Sequence, residues 1–210
     1  MTASGPARSG LFVVFEGGDG VGKTTQVLEL VARLRNHGVT TEKTRQPGGT
    51  RLGEQLRRLL LDPDHPELNP RAEALIYAAD KAQHVEEVIL PALARGEVVV
   101  CDRYVDSMIA YQGAGRVLDL AEVEQVARWA TGGLRPDLTV LLDVDPADAV
   151  ANIRRQDRLE AAGLDFHRRA RDHFLRLAYR DPGHYLQLNA RDSRESIAER
   201  VEEKVFALLG

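Results

Sequence analysis

The sequence predicts an α/β fold: one three-layer domain with a five-stranded parallel sheet, helices on both faces and a small mobile lid. Two observations carry this. Short apolar, β-branched runs alternate along the chain with segments of helical periodicity, the pattern of repeated strand–helix–strand units. A glycine-rich turn also joins the first such run directly to the first helix, as happens where a parallel strand feeds a helix.

Each element is read in turn. Strand one spans Leu11 to Glu16, and after the glycine-rich turn Val27, Leu30, Val31 and Leu34 recur at helical spacing up to a stop at His37-Gly38. A second strand, about Val39 to Arg45, runs into the loop Gln46-Pro-Gly-Gly-Thr50. A short helix carries Leu52, Leu56, Leu59 and Leu60, and ends at Asp62-Pro-Asp-His-Pro66. One long helix is expected from near Pro70 towards Arg95. A fully buried strand, Glu97 to Asp102, follows it. Helices near Asp106–Gly113 and Asp119–Thr131 precede a strand at Leu138–Asp143. A helix from Pro146, a basic stretch, a further helix, a short strand at His184–Leu188 and a last helix with Ile197, Val201, Val205 and Leu208 complete the chain. Residues 1–10 read as a flexible tail, residues 11–210 as the domain, and about 153–163 as its lid.

Composition narrows the class. The chain has 210 residues, 43% hydrophobic and 29% charged, which is enough for a sizeable core in one soluble domain. Its 32 acids and 28 bases give a net charge of −4, so no global attraction draws it to nucleic acid or to an anionic membrane. No apolar run approaches the ~20 residues of a transmembrane helix. The N-terminus lacks an apolar signal region, and a single cysteine, Cys101, fits a reducing compartment. A cytoplasmic protein is expected.

The turn after strand one carries the chemistry. Gly17-Gly18-Asp19-Gly20-Val21-Gly22-Lys23-Thr24-Thr25 contains the spacing Gly-x-x-x-x-Gly-Lys-Thr of a phosphate-binding loop. Its glycines let backbone N–H groups turn inward around phosphate oxygens, and the following helix N-terminus adds partial positive charge. Lys23 is placed to reach the β and γ phosphates of ATP, and the Thr24 hydroxyl to hold Mg²⁺. A glycine-rich turn without a ligand is the bland alternative; the strand before and the helix after weigh against it.

Phosphoryl transfer needs positioned charge around the moving phosphate. Asp102, ending a buried strand, supplies a carboxylate that can hold a metal or its water, unless it is only a helix cap. Arg103 beside it has the fork geometry to bridge two phosphates. Arg154, Arg155 and Arg158 form a basic stretch that reads either as a solvated face or as a lid closing over the donor; the polyphosphate loop upstream favours the lid. Tyr77 and Lys81, four apart, share one helix face and suit a pyrimidine pocket, the ring for stacking and the cation for a base carbonyl. Core packing is the alternative for Tyr77 alone. Gln112 offers an amide to a base edge.

Several motifs in order resemble one family, the bacterial thymidylate kinases, across the chain from Leu11 onward. Phe15-Glu-Gly-Gly-Asp-Gly-Val-Gly-Lys-Thr-Thr25 is similar to its phosphate loop, and Thr44-Arg-Gln-Pro-Gly-Gly-Thr50 to its Thr-Arg-Glu-Pro-Gly-Gly-Thr segment. Asp102-Arg-Tyr104, Ala110-Tyr-Gln-Gly113, Arg135-Pro-Asp-Leu-Thr139 and Asp157-Arg-Leu-Glu160 with Phe166 resemble its later motifs. The resemblance implies transfer of the γ-phosphate of MgATP to dTMP, giving dTDP, by a homodimer. It also implies that Asp19 holds the sugar 3′-hydroxyl, that Arg57 and Arg103 bind the acceptor phosphate, and that Tyr111 floors the deoxyribose. Gly20 stands where some relatives have arginine, so the lid arginines are expected to supply transition-state charge. Gln46 replaces the family's Glu, Lys81 its Arg, Met108 a Ser, Thr or Asn, and Asn189 a common Asp. These departures bear on acceptor affinity more than on donor binding. Another nucleoside monophosphate kinase, or a non-catalytic nucleotide-binding module, are the rival readings; intact Lys23, Thr24, Asp102 and Arg103 argue against the second.

Overall fold

The structure is a computed structural model and describes residues 10–62, 68–149, 159 and 162–210. Its elements are β1 (Leu11–Gly17), α1 (Lys23–Asn36), β2 (Thr41–Arg45), α2 (Arg51–Leu61), α3 (Pro70–His84), α4 (Leu90–Ala94), β3 (Val98–Asp102), α5 (Val105–Met108), α6 (Leu120–Ala130), β4 (Leu138–Asp143), α7 (Pro146–Ala149), α8 (Leu164–Arg180), β5 (Tyr185–Asn189) and α9 (Arg194–Leu209). The five strands form one sheet in the order β2-β3-β1-β4-β5, every pairing parallel. The predicted five-stranded parallel sheet is therefore present.

β1 lies at the centre because it is apolar on both faces. Leu11, Val13 and Phe15 pack into one core with Val27, Leu30 and Leu34 of α1 and Ile197, Val201 and Val205 of α9. Phe12 and Val14, on the other face, join Val85, Ile89, Ala92, Leu93 and Tyr104. This two-residue alternation sorts side chains between the layers. It also fixes where the strand ends point. Val98 and Val100 of β3 belong to the α1 face, so Asp102, two further on, emerges on that side at the start of α1.

Caps explain several boundaries. Thr50 accepts from the Gly53 N–H at 2.8 Å to start α2, Asn69 from Arg71 at 2.9 Å with Pro70 following, and Asp119 from Glu122 at 3.0 Å for α6. Gly17 is required by its neighbour strand. Its φ is +131°, and a Cβ there would lie 2.2 Å from the Leu142 carbonyl oxygen.

Two predicted helices differ from the structure. The helix expected from Pro70 to Arg95 is interrupted by a π-helical turn, Val85–Ile89, before α4. Pro91 has no N–H to give and its ring crowds the carbonyl four residues back; a widened turn relieves both. The helix expected near Asp106–Gly113 is the short α5 followed by π-helical Ile109–Gly115. Strand two begins at Thr41, not Val39, and β5 is shifted one residue to Tyr185–Asn189. Gly10, placed in the expected tail, donates to the Leu93 carbonyl at 3.1 Å. Residues 1–9, and 153–158 and 160–161 of the expected lid, lie outside the described residues.

Candidate active site

The C-terminal ends of β1, β2 and β3 are level: Phe15 and Arg45 both stand opposite Asp102. The connection after β1 runs to β2 on one side and the connection after β3 runs to β4 on the other, which opens a crevice beyond the strand ends. A cavity of about 850 Å³ occupies it, lined by the loop from Asp19 to Thr25, by Asp102 and Arg103, and by Arg57, Tyr77, Lys81, Tyr111 and Gln112. Of the loop, Gly17, Gly18 and Val21 face the opposite side, Val21 within the α1 core.

At one end of the cavity, Gly22 is the left-handed N-cap of α1, with φ +89°, and leads into Lys23 and Thr24 in the first turn. The Thr24 hydroxyl donates to Asp102 Oδ2 at 2.6 Å. These are two hard oxygen donors side by side, the set that suits Mg²⁺. The Lys23 ammonium is buried and donates to the Gly18 carbonyl. Burial first, then the Arg103 guanidinium, pushes the Lys23 pKa down to about 8.

At the middle sits Arg103. It is a non-glycine residue in the left-handed region, φ +68°. Its Nη1 donates to the Gly17 carbonyl at 2.8 Å and to Ser107 Oγ at 3.0 Å, and its Nη2 pairs with Asp19 Oδ1. Tyr111 donates to Asp19 Oδ2 at 3.3 Å, and its ring packs between Phe166 and Phe174 with the Arg103 guanidinium 5.2 Å from its centre. Burial works against ionisation of Asp19, but Arg103 and Lys23 outweigh it and hold the carboxyl below its usual range.

The far end belongs to α3 and the loop after β2. Tyr77 and Lys81 share a face, as their spacing requires, and both are buried. The Lys81 ammonium donates to Gln46 Oε1 at 2.8 Å, and Gln46 Nε2 contacts His84 Nδ1 at 2.8 Å. Because an amide NH₂ only donates, His84 accepts at Nδ1 and carries its proton on Nε2, which faces Thr44 Oγ1 at 2.5 Å. Burial, then Lys81, lowers the His84 pKa to about 4, consistent with this neutral ring. Arg57 Nη1 donates to the Pro47 carbonyl at 2.9 Å, and Asp80 Oδ1 accepts from the Gly48 N–H at 2.8 Å. The Gln46–Pro47 peptide is cis.

The sequence-predicted residues Asp19, Lys23, Thr24, Arg57, Tyr77, Lys81, Asp102, Arg103, Tyr111 and Gln112 thus line one cavity. Arg154, Arg155 and Arg158 lie outside the described residues. Two of the departures resolve geometrically. Gln46 is buried between Lys81 and His84, so the amide replaces a carboxylate inside a hydrogen-bonded chain. Asn189 is exposed at the end of β5, where its Oδ1 accepts from the Arg191 N–H at 2.9 Å, away from the cavity. Met108 is buried and lines the cavity. Sequence reasoning missed Glu16, Glu73, Asp80, His84, Ser107 and Arg116. Glu73 carried a signal, standing four before Tyr77 and eight before Lys81.

Comparison with known proteins settles the family. The model of the family described as Thymidylate kinase matches residues 15–201. The chain belongs to the thymidylate kinase family. It is similar to thymidylate kinases of Cutibacterium acnes (58% identical over 200 residues, 95% of this chain and 98% of that one) and Desulforudis audaxviator (53% over 206 residues, 96% and 92%). A third, from Clavibacter michiganensis subsp. michiganensis, is 49% identical over 205 residues, 96% of this chain and 97% of its own.

One feature of the site is expensive. Asp80 is fully buried, and its Oδ2 has no hydrogen-bond partner among the described residues. Burial raises its pKa to about 6, against an ordinary 3.8. The folded protein therefore binds the proton more tightly than the unfolded chain, and stability falls as pH rises from about 4 to about 6. Above that window the ionised carboxylate costs up to about 3 kcal/mol. Asp80→Asn removes the charge while keeping an acceptor for Gly48. Urea titrations at pH 5 and pH 7 should show the variant gaining stability relative to the parent at the higher pH. An identical pH dependence in both proteins refutes this cost.

Proposed function

We propose that this chain transfers the γ-phosphate of MgATP to dTMP, giving dTDP and ADP, as a soluble cytoplasmic homodimer. The observation that carries the reading is the single cavity joining the phosphate loop to the Tyr77–Gln112 end, with Arg103 between them. No helix among the described residues is long and apolar enough to cross a membrane. Leu75 on α3 and Trp129 on α6 are exposed apolar side chains on adjoining helices, surface that a second copy would cover.

In this reading, Lys23 binds the β and γ phosphates and the loop N–H groups bind their oxygens. Thr24 and Asp102 would hold Mg²⁺, directly or through water, and the ion supplies neutralisation of the phosphate charge. Arg57 and Arg103 bind the acceptor phosphate, Asp19 the sugar 3′-hydroxyl, and Tyr111 underlies the deoxyribose and crowds a 2′-hydroxyl. An acceptor oxygen of dTMP attacks the γ-phosphorus in line; the new O–P bond forms as the bond to the β-bridging oxygen breaks. A phosphate monoester with a second pKa of roughly 6 is already ionised at pH 7, so no side chain need act as base. Arg103 is held by Gly17, Ser107 and Asp19 before substrate arrives, so little reorganisation is needed as charge moves. The segment of residues 153–163 acts as the lid.

Acceptor choice tests the reading. kcat/KM at saturating MgATP should rank dTMP first. dUMP lacks one methyl and should be worse by about 1–3 kcal/mol, roughly ten- to two-hundredfold, and dCMP worse still. A preference for dCMP or a purine monophosphate overturns it.

Lys23 gives a pH signature. The free protein's ammonium loses its proton as pH rises through about 8, so kcat/KM for ATP should fall about tenfold per unit above that point. Lys23→Ala should lower kcat at least about a hundredfold and abolish the inflection. A wild-type profile flat to about pH 10, where an unperturbed lysine titrates, contradicts the assignment.

For the lid, alanine at one or more of Arg154, Arg155 and Arg158 should lower kcat with little change in acceptor KM, the mark of a transition-state contact. Wild-type kcat in the triple variant would reduce the stretch to a solvated face.

A further inference from the structure

The stripe on α3 that carries Tyr77 and Lys81 begins one turn earlier with Glu73, a residue with no exposed surface. Its carboxylate accepts from Arg116 twice, from Nε at 3.2 Å and Nη2 at 3.1 Å, while the Arg116 guanidinium lies 4.9 Å from the centre of the Phe166 ring. Glu73 Oε1 also accepts from Gln112 Nε2 at 2.8 Å. A carboxylate held by a guanidinium accepts hydrogen bonds and has none to give. The orientation of the Gln112 amide is therefore not free. Its NH₂ must face Glu73, and Oε1 is the atom it can offer to the cavity it lines beside Tyr77 and Met108. Gln46 differs, because Lys81 and His84 use both ends of its amide.

We infer that Glu73 is a positioning residue that sets acceptor specificity, by fixing the Gln112 carbonyl as an acceptor for a pyrimidine ring N–H. The inference rests on the thymidylate reading above. Thymine and uracil carry a proton on ring N3 and satisfy this carbonyl. Cytosine presents a lone pair at N3, so two acceptors would face each other with no proton between them, which is the stronger form of rejection. The discrimination is exerted by a residue that does not itself meet the base. It follows from the direction of one hydrogen bond, and the residue behind Glu73 keeps that direction fixed: Arg116 donates to both carboxylate oxygens and holds Oε1 against the Gln112 amide.

The test measures kcat and KM for dTMP, dUMP and dCMP in wild type, Glu73→Gln, Arg116→Met and Arg116→Lys. Gln at 73 can both donate and accept, so the Gln112 amide becomes free to turn its NH₂ to the cavity. Glu73→Gln should reduce the dTMP:dCMP ratio of kcat/KM at least about tenfold, the size of one net hydrogen bond to a base, with the loss for dTMP lying in KM more than in kcat. The dTMP:dUMP ratio should stay as in wild type, because the methyl group is not read by this amide. Arg116→Met should reproduce the loss of discrimination by removing the guanidinium that holds both Glu73 oxygens in place, and it serves as the second route if Glu73→Gln does not fold. Arg116→Lys, which keeps a charge there, should restore the ratio. Equal losses for all three acceptors, or an unchanged dTMP:dCMP ratio in folded Glu73→Gln and Arg116→Met, overturn the inference and leave Glu73 a packing residue. Wild type settles the parent reading separately: if it does not prefer dTMP at all, the thymidylate assignment has failed, whatever the variants do.

Discussion

The site is built on the buried carboxylate of Glu16. It has no exposed surface, and its Oε1 accepts from the backbone N–H of Tyr104 at 2.8 Å and of Ser107 at 3.1 Å, while Oε2 accepts from Ser107 Oγ at 2.5 Å. Those bonds tie the end of β1, where the phosphate loop begins, to the turn after β3, where Asp102 and Arg103 stand. The turn needs the tie. Arg103 occupies the left-handed region, which costs a non-glycine residue of order 1–2 kcal/mol, and persists because its neighbours over-determine it. Its own N–H donates to Phe15 at 2.9 Å and the next N–H to Glu16. A charged acceptor makes stronger hydrogen bonds than a neutral one, which explains a carboxylate in a position otherwise occupied by apolar strand residues. The backbone twist at Arg103 is what turns its guanidinium back over the loop to meet Gly17 and Asp19.

The far end of the cavity follows a different rule. Glu73, Asp80, Lys81 and His84 are all buried on one helix, where isolated charges are costly and each needs a partner. Lys81 is paired with a neutral amide, and burial lowers its pKa from the usual lysine range. Glu73 is paired with a guanidinium. Asp80 holds the Gly48 N–H, and its other oxygen has no partner among the described residues. An apolar helix face would be cheaper. What the polar face supplies is direction: the tautomer of His84 and the orientation of two glutamine amides are each dictated by a neighbour that can only donate or only accept.

Much of this was legible in the sequence, because the signals were local. The strand–loop–helix of the phosphate site, the buried strand ending at Asp102, and the shared face of Tyr77 and Lys81 all depend on neighbours within a few residues. What the sequence did not reveal depends on long-range partners. Lys81 reads as a cation for a base, and nothing within its helix shows that its ammonium meets Gln46, 35 positions earlier. Glu16 reads as the polar end of a strand, yet its partners lie 88 and 91 positions away. His84 shows no ligand spacing and receives its role only from the loop folded against it. The π-helical turns escaped for another reason. A 3.6-residue period gives no sign of a widened turn, and the segment Ile109–Gly115 carries Tyr111 and Gln112, both buried and both lining the cavity.

That widened turn connects the two ends of the site. The Arg116 N–H donates to the Tyr111 carbonyl at 2.9 Å, five residues back, so the backbone of the turn and the guanidinium that holds Glu73 belong to the same residue. Tyr111 reaches Asp19 and, through it, Arg103; the next residue, Gln112, reaches Glu73. Consecutive residues thus reach the Asp19–Arg103 cluster and the Glu73–Arg116 pair along one cavity. The irregular segment sits at the centre of the site and not at its edge, because adjacent side chains of this one turn reach Asp19 and Glu73.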